Sequence, residues 1–519
     1  MPARGRGNGR GNGRGRHRQL LVIPEPPDDN EKYCYAWRSL PYLAMILLIA
    51  FLSTTASQVW FEVHDRAWPL GAFTALGIIY YACSAPFSFT GRSANMAAHA
   101  AKVRSWRPGW YPDVDIYLPI CGESIEVLRN TWTGVFELVH AYPGIARPYV
   151  LDDGDDPEAS RLAETFGFAC RVRPNRGDHK KSGNLRYGFA HTRGEFFVVL
   201  DADFRPRHDF LAETLPYFDD PDVAIVQTPQ YFRSTPAQTW VERAAGAIQE
   251  VFYRSIQVSR NRLGASICVG TCAVYRRIAL EPYGGPTLIP YAEDVHTGLD
   301  VRRDGWSLVY VPVVLCVGLC PTSLDAFIRQ QYRWCTGSTS TVLTRRLWTV
   351  PMSVPARLTY ISGFCYYVFT ALVIFVVPII SIAVLAFFAQ DIEPGNYEVL
   401  APAFIVGMLL YPLWHYSTYQ LREILPLSLA RGWAHTLAIW DYCRGATMGW
   451  EPSGARVSAM RRYWIGVRVW NGGTAVFWLL LFVWRTVEFS SPRFALLGVF
   501  GVMNLAVVAR AAILDGDRS

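Results

Sequence analysis

The sequence predicts an α/β domain, a mixed sheet with a parallel core, inserted between two groups of membrane-spanning helices. Three observations point there. The 519 residues are 51% hydrophobic and only 18% charged, with the apolar excess gathered toward both ends. From about Asp113 to Pro321, strand-like runs alternate with helical patterns. Four of the five strand-like runs end on polar or acidic residues, where open α/β sheets bind their ligands.

The apolar runs are Ser39–Phe61, Ala67–Gly91, Leu358–Gln390, Val399–Gln420, Val469–Trp484 and Phe494–Ala509. About 20 apolar residues cross a bilayer core, so the first four qualify by length. The last two are shorter, but Arg468, Arg485, Arg493 and Arg510 flank them and can snorkel to the interface. Trp and Tyr edge the runs, as membrane interfaces favour. Six buried core helices are the competing reading.

Arginine placement sets the orientation. Arg4, Arg6, Arg10, Arg14, Arg16 and Arg18 precede the first run with no acid among them, and segment 421–468 holds seven Arg. Both belong on the cytoplasmic side, while the turns Glu62–Arg66 and Asp391–Glu398 face out. The expected domains are a disordered Arg/Gly-rich tail (1–35), two transmembrane helices (36–91) and a cytoplasmic α/β domain (92–321). An interfacial helix (322–350) and four transmembrane helices (351–514), interrupted by the cytoplasmic interface segment 421–468, complete the chain. The protein is then a multi-pass plasma (inner) membrane protein.

The tail RGRGNGRGNGRGRHR resembles RNA-binding segments in composition, but its simpler role is topogenic, with contact to anionic lipid in the bilayer and no nucleic acid. It supplies most of the net charge of +7, which therefore says little about substrate. The first apolar run is too long and starts too late for a cleaved signal peptide. The eleven Cys are scattered without zinc-ligand spacing and are expected to be reduced.

Strands are expected at Val114–Leu118, Pro148–Leu151, Phe196–Leu200, Val223–Gln227 and Ser307–Val311, with helices at Ile125–Val139 and Pro157–Phe166. The first four strands end in PICGES (119–124), DDGDD (152–156), DADF (201–204) and QTPQYF (227–232), and YAEDVHTG lies at 291–298. Acids at strand ends are common turn residues, but their recurrence indicates one shared crevice.

Asp201 and Asp203 sit side by side at one strand tip. That suits Mg²⁺ or Mn²⁺, which takes one or two carboxylates plus phosphate oxygens. A glycosidase-like acid/base pair needs carboxyls on opposite sides of a bond, about 5 Å or more apart. A metal there would neutralise a departing diphosphate. Asp294 is the candidate general base for an incoming hydroxyl, or a cap for the helix following it. In QQYRW, Gln330, Arg333 and Trp334 offer an amide, a phosphate-binding fork and a flat ring.

The order DDG, D-x-D, E-D and Q-x-x-R-W resembles the processive family 2 glycosyltransferases, the cellulose synthase group. HKKSGNLR (179–186), VQTPQYF and ICVGTCAVYRR (267–277) agree with further family segments. The resemblance implies an A-type, Rossmann-like nucleotide-sugar-binding domain in a bundle of about six helices. It places Cys121, Glu123, Asp152, Asp153 and Lys181 around the uridine, and Asp201 and Asp203 at the metal and diphosphate. Asp294 becomes the base, Gln330 and Arg333 hold the diphosphate, and Trp334 stacks under the acceptor sugar, with Val269, Gly270, Thr271 and Glu293 beside it.

The implied reaction is inverting transfer from a nucleotide sugar, UDP-glucose first, to a growing β-linked polysaccharide that leaves through the helices. Accessory export subunits are further candidate partners. A curdlan-, mannan-, chitin- or hyaluronan-like product, or non-processive extension of a lipid or short glycan, stays open. The chain departs from the family pattern at Ala292 (usually Thr), Phe204 (often His) and Gly122 (often Asn). GWEPSG (449–454) is the nearest gating-loop candidate, and regulation through a following cyclic-di-GMP domain is not expected.

Overall fold

The computed structural model describes residues 23–36, 41–64, 68, 71–90, 94–392, 421–446, 458–489 and 494–513. The strands, in chain order, are β1 (Val114–Ile120), β2 (Ala146–Asp152), β3 (Ala169–Val172), β4 (Phe196–Val199) and β5 (Phe204–Pro206). They continue with β6 (Val223–Gln227), β7 (Ala273–Arg276), β8 (Ser307–Tyr310) and β9 (Cys316–Gly318). Seven of them form one sheet in the order β3-β2-β1-β4-β7-β6-β8, and β5 pairs with β9 apart from it.

β7 runs antiparallel to β4 and β6, while the other pairs in the large sheet are parallel. All seven residues of β1 are buried, as in a sheet covered on both faces. Even Asp115 of β1 is inside, where it accepts from Gly194 N at 2.6 Å and Arg277 Nη2 at 2.9 Å. The flanking helices start and stop where the sequence supplies caps. Ser124 opens Ile125–Ala141, and Pro157 at the first position and Gly167 at φ 72° bound Pro157–Phe166.

Five expected strands form, with ends shifted by no more than two residues. β3 escapes sequence reading because it is an exposed edge strand, ACRV, without an apolar run. β7 escapes it because its residues read as a motif rather than as a strand. In fact β7 is the buried seam between β4 and β6.

Two helices among the described residues are long and apolar enough to cross a membrane, Val354–Phe387 and Arg461–Phe489. The first two apolar runs form the helices Pro41–His64 and Gly71–Thr90, and the last lies in Ala495–Ile513. Val399–Gln420 and the GWEPSG candidate fall outside the described residues.

Two expectations change. Residues 23–36, read as part of a disordered tail, instead lie against the α/β domain, where Lys32 is buried between Asp209 and Glu213. The segment read as one interfacial helix is the helix Leu324–Leu343 followed by the short Arg345–Thr349. Its first helix is largely buried, because Leu421–Cys443 packs along it and shares its apolar cluster of Phe327, Ile328, Tyr332, Leu427 and Ala434. That explains why its apolar positions follow helical spacing only roughly.

Candidate active site

β4 delivers the D-x-D to the carboxyl edge of the sheet. Its chain turns at once, with Phe204 N donating to Asp201 O at 3.0 Å. Thr131 Oγ1 anchors the turn by donating to Ala202 O at 2.7 Å. Phe204, where relatives often carry His, is buried in β5 and packs on Phe232 with ring centroids 5.7 Å apart. It is part of the wall behind the site.

Asp201 faces a cation of the chain itself. Lys181 Nζ lies 2.5 Å from Asp201 Oδ1 and donates to Gly270 O at 2.8 Å. Asp201 N in turn donates to Thr271 Oγ1 at 2.9 Å. Gly270 has φ 77°, and a Cβ added there would meet Asp294 Oδ2 at 2.9 Å. D-x-D, Lys181, the 269–271 segment and Asp294 therefore form one contiguous cluster.

Asp294 is not the cap of its helix. The helix runs Glu293–Arg303 with Ala292 as cap residue at φ 54°, and Asp294 Oδ1 accepts from Val295 N at 2.8 Å. A Cβ on Gly337, in the Q-x-x-R-W helix, would collide with the Ala292 methyl. Small residues on both sides let that helix close over the start of the Glu293–Arg303 helix. Ala292 in place of the family's Thr fits this tight contact.

Electrostatics single out two carboxyls. Burial, and then the neighbouring Asp201 carboxylate, push the Asp203 carboxyl up to about 7. Burial, and then Glu293, do the same to Asp294, also to about 7. Both residues are only half-buried by exposure, so neither sits in a sealed core. Burial works against the Lys181 ammonium, but Asp201, Glu293 and Asp294 together outweigh it and raise its pKa. Arg333 stands within electrostatic reach of Glu293, Asp201 and Asp203, although withdrawal from water lowers its pKa.

Residues 123–337 match the family described as glycosyltransferase like family 2. Cellulose synthase 1 of Komagataeibacter xylinus is 33% identical over 267 residues, 50% of this chain and 17% of that protein. A UDP-forming cellulose synthase 1 catalytic subunit from the same organism is 35% identical over 234 residues, 44% of this chain and 31% of its own length. Over residues 123–337 the chain is thus similar to family 2 glycosyltransferases, and over about half of its length to cellulose synthases. The chain thus spans less than a third of the length of these relatives. Among solved structures, the mannosyltransferase PcManGT from Pyrobaculum calidifontis in complex with GDP-Man and Mn²⁺ aligns at 17% identity and a TM-score of 0.47. That alignment covers 70% of this chain and 99% of that one.

The other expected site residues divide. Glu123 Oε2 accepts from Cys121 N at 2.6 Å across Gly122, whose φ is 89°, and burial first of all raises the Glu123 carboxyl pKa. Asp152 is fully buried and shapes its loop by accepting from the backbone N–H of Gly154, Asp155 and Asp156. Asp153 is gripped by Arg173 at 2.5 Å and 2.6 Å. Both carboxylates thus have framework partners. Gln330 Oε1 is buried without a partner among the described residues, while Trp334 keeps 36% of its surface exposed.

One important residue carried no sequence signal beyond its motif. Gln227, fully buried, donates from Nε2 to Thr228 O and Thr271 O at 2.8 Å and accepts from Val269 N at 2.9 Å. It holds both ends of the 269–271 segment. A lone amide closing an otherwise apolar buried strand, VAIVQ, is the clue that points to it.

The donor set also fits a hard cation. Asp201 and Asp203 put two carboxylates at one strand tip. Among the described residues no group of three or more His, Cys, Asp or Glu could hold a metal. A divalent ion there needs further oxygens from its substrate, the usual habit of Mg²⁺ and Mn²⁺.

Proposed function

We propose that the chain is a membrane-embedded, inverting, processive β-glycosyltransferase that polymerises a nucleotide sugar, UDP-glucose, into a cellulose-like β-glucan. The observation that carries this reading is the convergence of Asp201, Lys181 and Asp294 on the Gly270 segment. A donor diphosphate and an acceptor hydroxyl would meet there.

Asp294 takes the proton of the acceptor hydroxyl. A carboxyl titrating near neutrality is a stronger base than an exposed one and is about half ionised near neutral pH. Oδ1 is held by Val295 N, so the carboxylate presents a fixed Oδ2 toward Gly270. Asp201 and Asp203 would hold Mg²⁺ or Mn²⁺, which when bound neutralises charge building on the departing diphosphate. Lys181 balances the remaining negative charge from the protein side, Gln330 holds the diphosphate with Arg333 through its amide N–H, and its buried Oε1 is left for a sugar hydroxyl. Cys121, Glu123, Asp152 and Asp153 line the uridine end, the last two through the loop they shape. Trp334 stacks under the acceptor sugar, beside Val269, Thr271 and Glu293.

The rest of the chain completes the proposal. Six helices, two before the domain and four after it, hold a cytoplasmic glycosyltransferase domain at the plasma membrane and pass the product outward. The partners are the nucleotide sugar, the growing polysaccharide, the lipid bilayer and accessory export subunits.

Membranes carrying the protein, given radiolabelled nucleotide sugars one at a time, test this. Label from UDP-glucose should enter a polymer that a β-glucan-specific glycanase digests. Label entering polymer only from another nucleotide sugar, or only a single-sugar product, overturns the sugar or the processivity respectively.

A further inference from the structure

Residues 23–36 form a strap across the glycosyltransferase domain. Its helix, Asp29–Lys32, opens with a capping box in which Asp28 Oδ1 accepts from Glu31 N at 2.7 Å and Glu31 Oε2 accepts from Asp28 N at 3.1 Å. Lys32 Nζ is held by Asp209 at 2.6 Å and Glu213 at 2.5 Å, and Arg207 Nη2 reaches Asp29 at 2.8 Å. Tyr35 meets the ring of Tyr231 edge-on at 5.7 Å.

Glu31 does something different from these anchors. Its Oε1 accepts from Tyr231 OH at 3.1 Å and Arg233 Nε at 2.8 Å, and its Oε2 accepts from Arg233 Nη2 at 2.5 Å. Tyr231 and Arg233 belong to the loop after β6. The preceding residue, Gln230, donates from Nε2 to Val269 O at 3.2 Å, and Gly270, which lies against Asp294, comes next. A connected series of contacts thus runs from the strap to the catalytic cluster. The Glu31–Arg233 pair keeps about a quarter of each side chain in water (21% and 26%) and joins the strap to the loop after β6 rather than to the sheet. Its consequence is local.

We propose that Glu31 is a positioning residue for sugar transfer, fixing the loop 228–233 so that Gln230 holds the 269–271 segment against Asp294. This rests on the transferase reading above.

Hydrogen–deuterium exchange on the purified full chain tests the coupling. In Glu31→Ala, amides of 227–233 and 267–272 should exchange about fivefold faster, while β1 and β4 keep their protection. UDP release from UDP-glucose should fall about fivefold with affinity for UDP unchanged, and Glu31→Gln, which keeps one acceptor oxygen but replaces the other by a donor, should fall between Glu31→Ala and wild type. Unchanged exchange at 267–272, exchange rising equally in β1 and β4, or UDP release within about twofold in Glu31→Ala, each overturns the proposal. A wild-type chain that releases no nucleoside diphosphate from any nucleotide sugar sinks the transferase reading instead. Exchange at 267–272 then still decides whether Glu31 holds that segment.

Discussion

Asp294 lies against a glycine: a Cβ placed on Gly270 would come within 2.9 Å of Asp294 Oδ2 and 3.2 Å of its Cβ. Gly270 also adopts φ 77°, which side-chain-bearing residues rarely take. Two independent constraints, backbone and contact, therefore forbid a larger residue here. Gly270→Ala should lower sugar transfer at least about a hundredfold, by the same logic that makes small misplacements near the chemistry costly. Affinity for UDP should change little. Transfer rates and UDP titration calorimetry on the same preparation check this.

The Q-x-x-R-W helix closes on the Glu293–Arg303 helix through Gly337 and Ala292. Gly337→Ala puts a methyl where another already sits, and overpacking of this kind costs about 1–3 kcal/mol. The variant should melt several degrees lower and transfer more slowly, because Asp294 and Arg333 ride on the two displaced helices. A thermal melt and a transfer assay together separate this from an unperturbed site.

Arg277 closes the buried side of the sheet. It donates to Asp115 Oδ2, Tyr117 OH, Thr192 Oγ1, Gly194 O and Phe189 O, all at 2.6 to 2.9 Å. Removing one partner of a buried ion pair costs about 3–5 kcal/mol, because the other is left charged and unpaired. Arg277→Met should therefore destabilise the domain by that amount in denaturant unfolding. Replacing Asp115 and Arg277 together should cost less than the sum of the single changes.

The raised Asp294 carboxyl gives a pH dependence of known sign. The unfolded chain ionises this group near its ordinary value of about 4, whereas the folded one does so at about 7. Its contribution to stability is fully present below about 4 and is lost as pH rises to about 7, because the unfolded state then binds fewer protons. Asp294→Asn, neutral throughout, should melt with a shallower pH dependence across this window. The proposed base role requires Asp294 to be ionised, so the acid limb of kcat/KM for transfer should have its midpoint near 7.

The parts legible in the sequence were those whose signal is local. β6 and the Pro157–Phe166 helix have the expected bounds, because an apolar run or a proline start fixes them without help. Residues of the D-x-D, the Lys181 segment and Asp294 could be named from their motifs, and the fold brings them together. The missing parts depend on tertiary partners. β7 is a strand because β4 and β6 hold it on both sides, and Gln227 matters through a segment more than forty residues away in sequence. The strap looked like tail because PEPPDDNEK has no apolar periodicity, and its order comes from ion pairs to Asp209, Glu213, Arg207 and Arg233.

The central claim is a division of labour, with Asp203 serving the diphosphate and Asp294 serving the proton. The most direct measurement is UDP binding by titration calorimetry in the presence of Mg²⁺ or Mn²⁺, paired with transfer rates, for Asp203→Ala and Asp294→Asn. Asp294→Asn should lose transfer by about a thousandfold or more while binding UDP within about threefold of wild type. Asp203→Ala should lose the metal-dependent part of UDP binding as well as transfer. Equal loss of both properties in both variants, or full transfer by Asp294→Asn, would contradict the account.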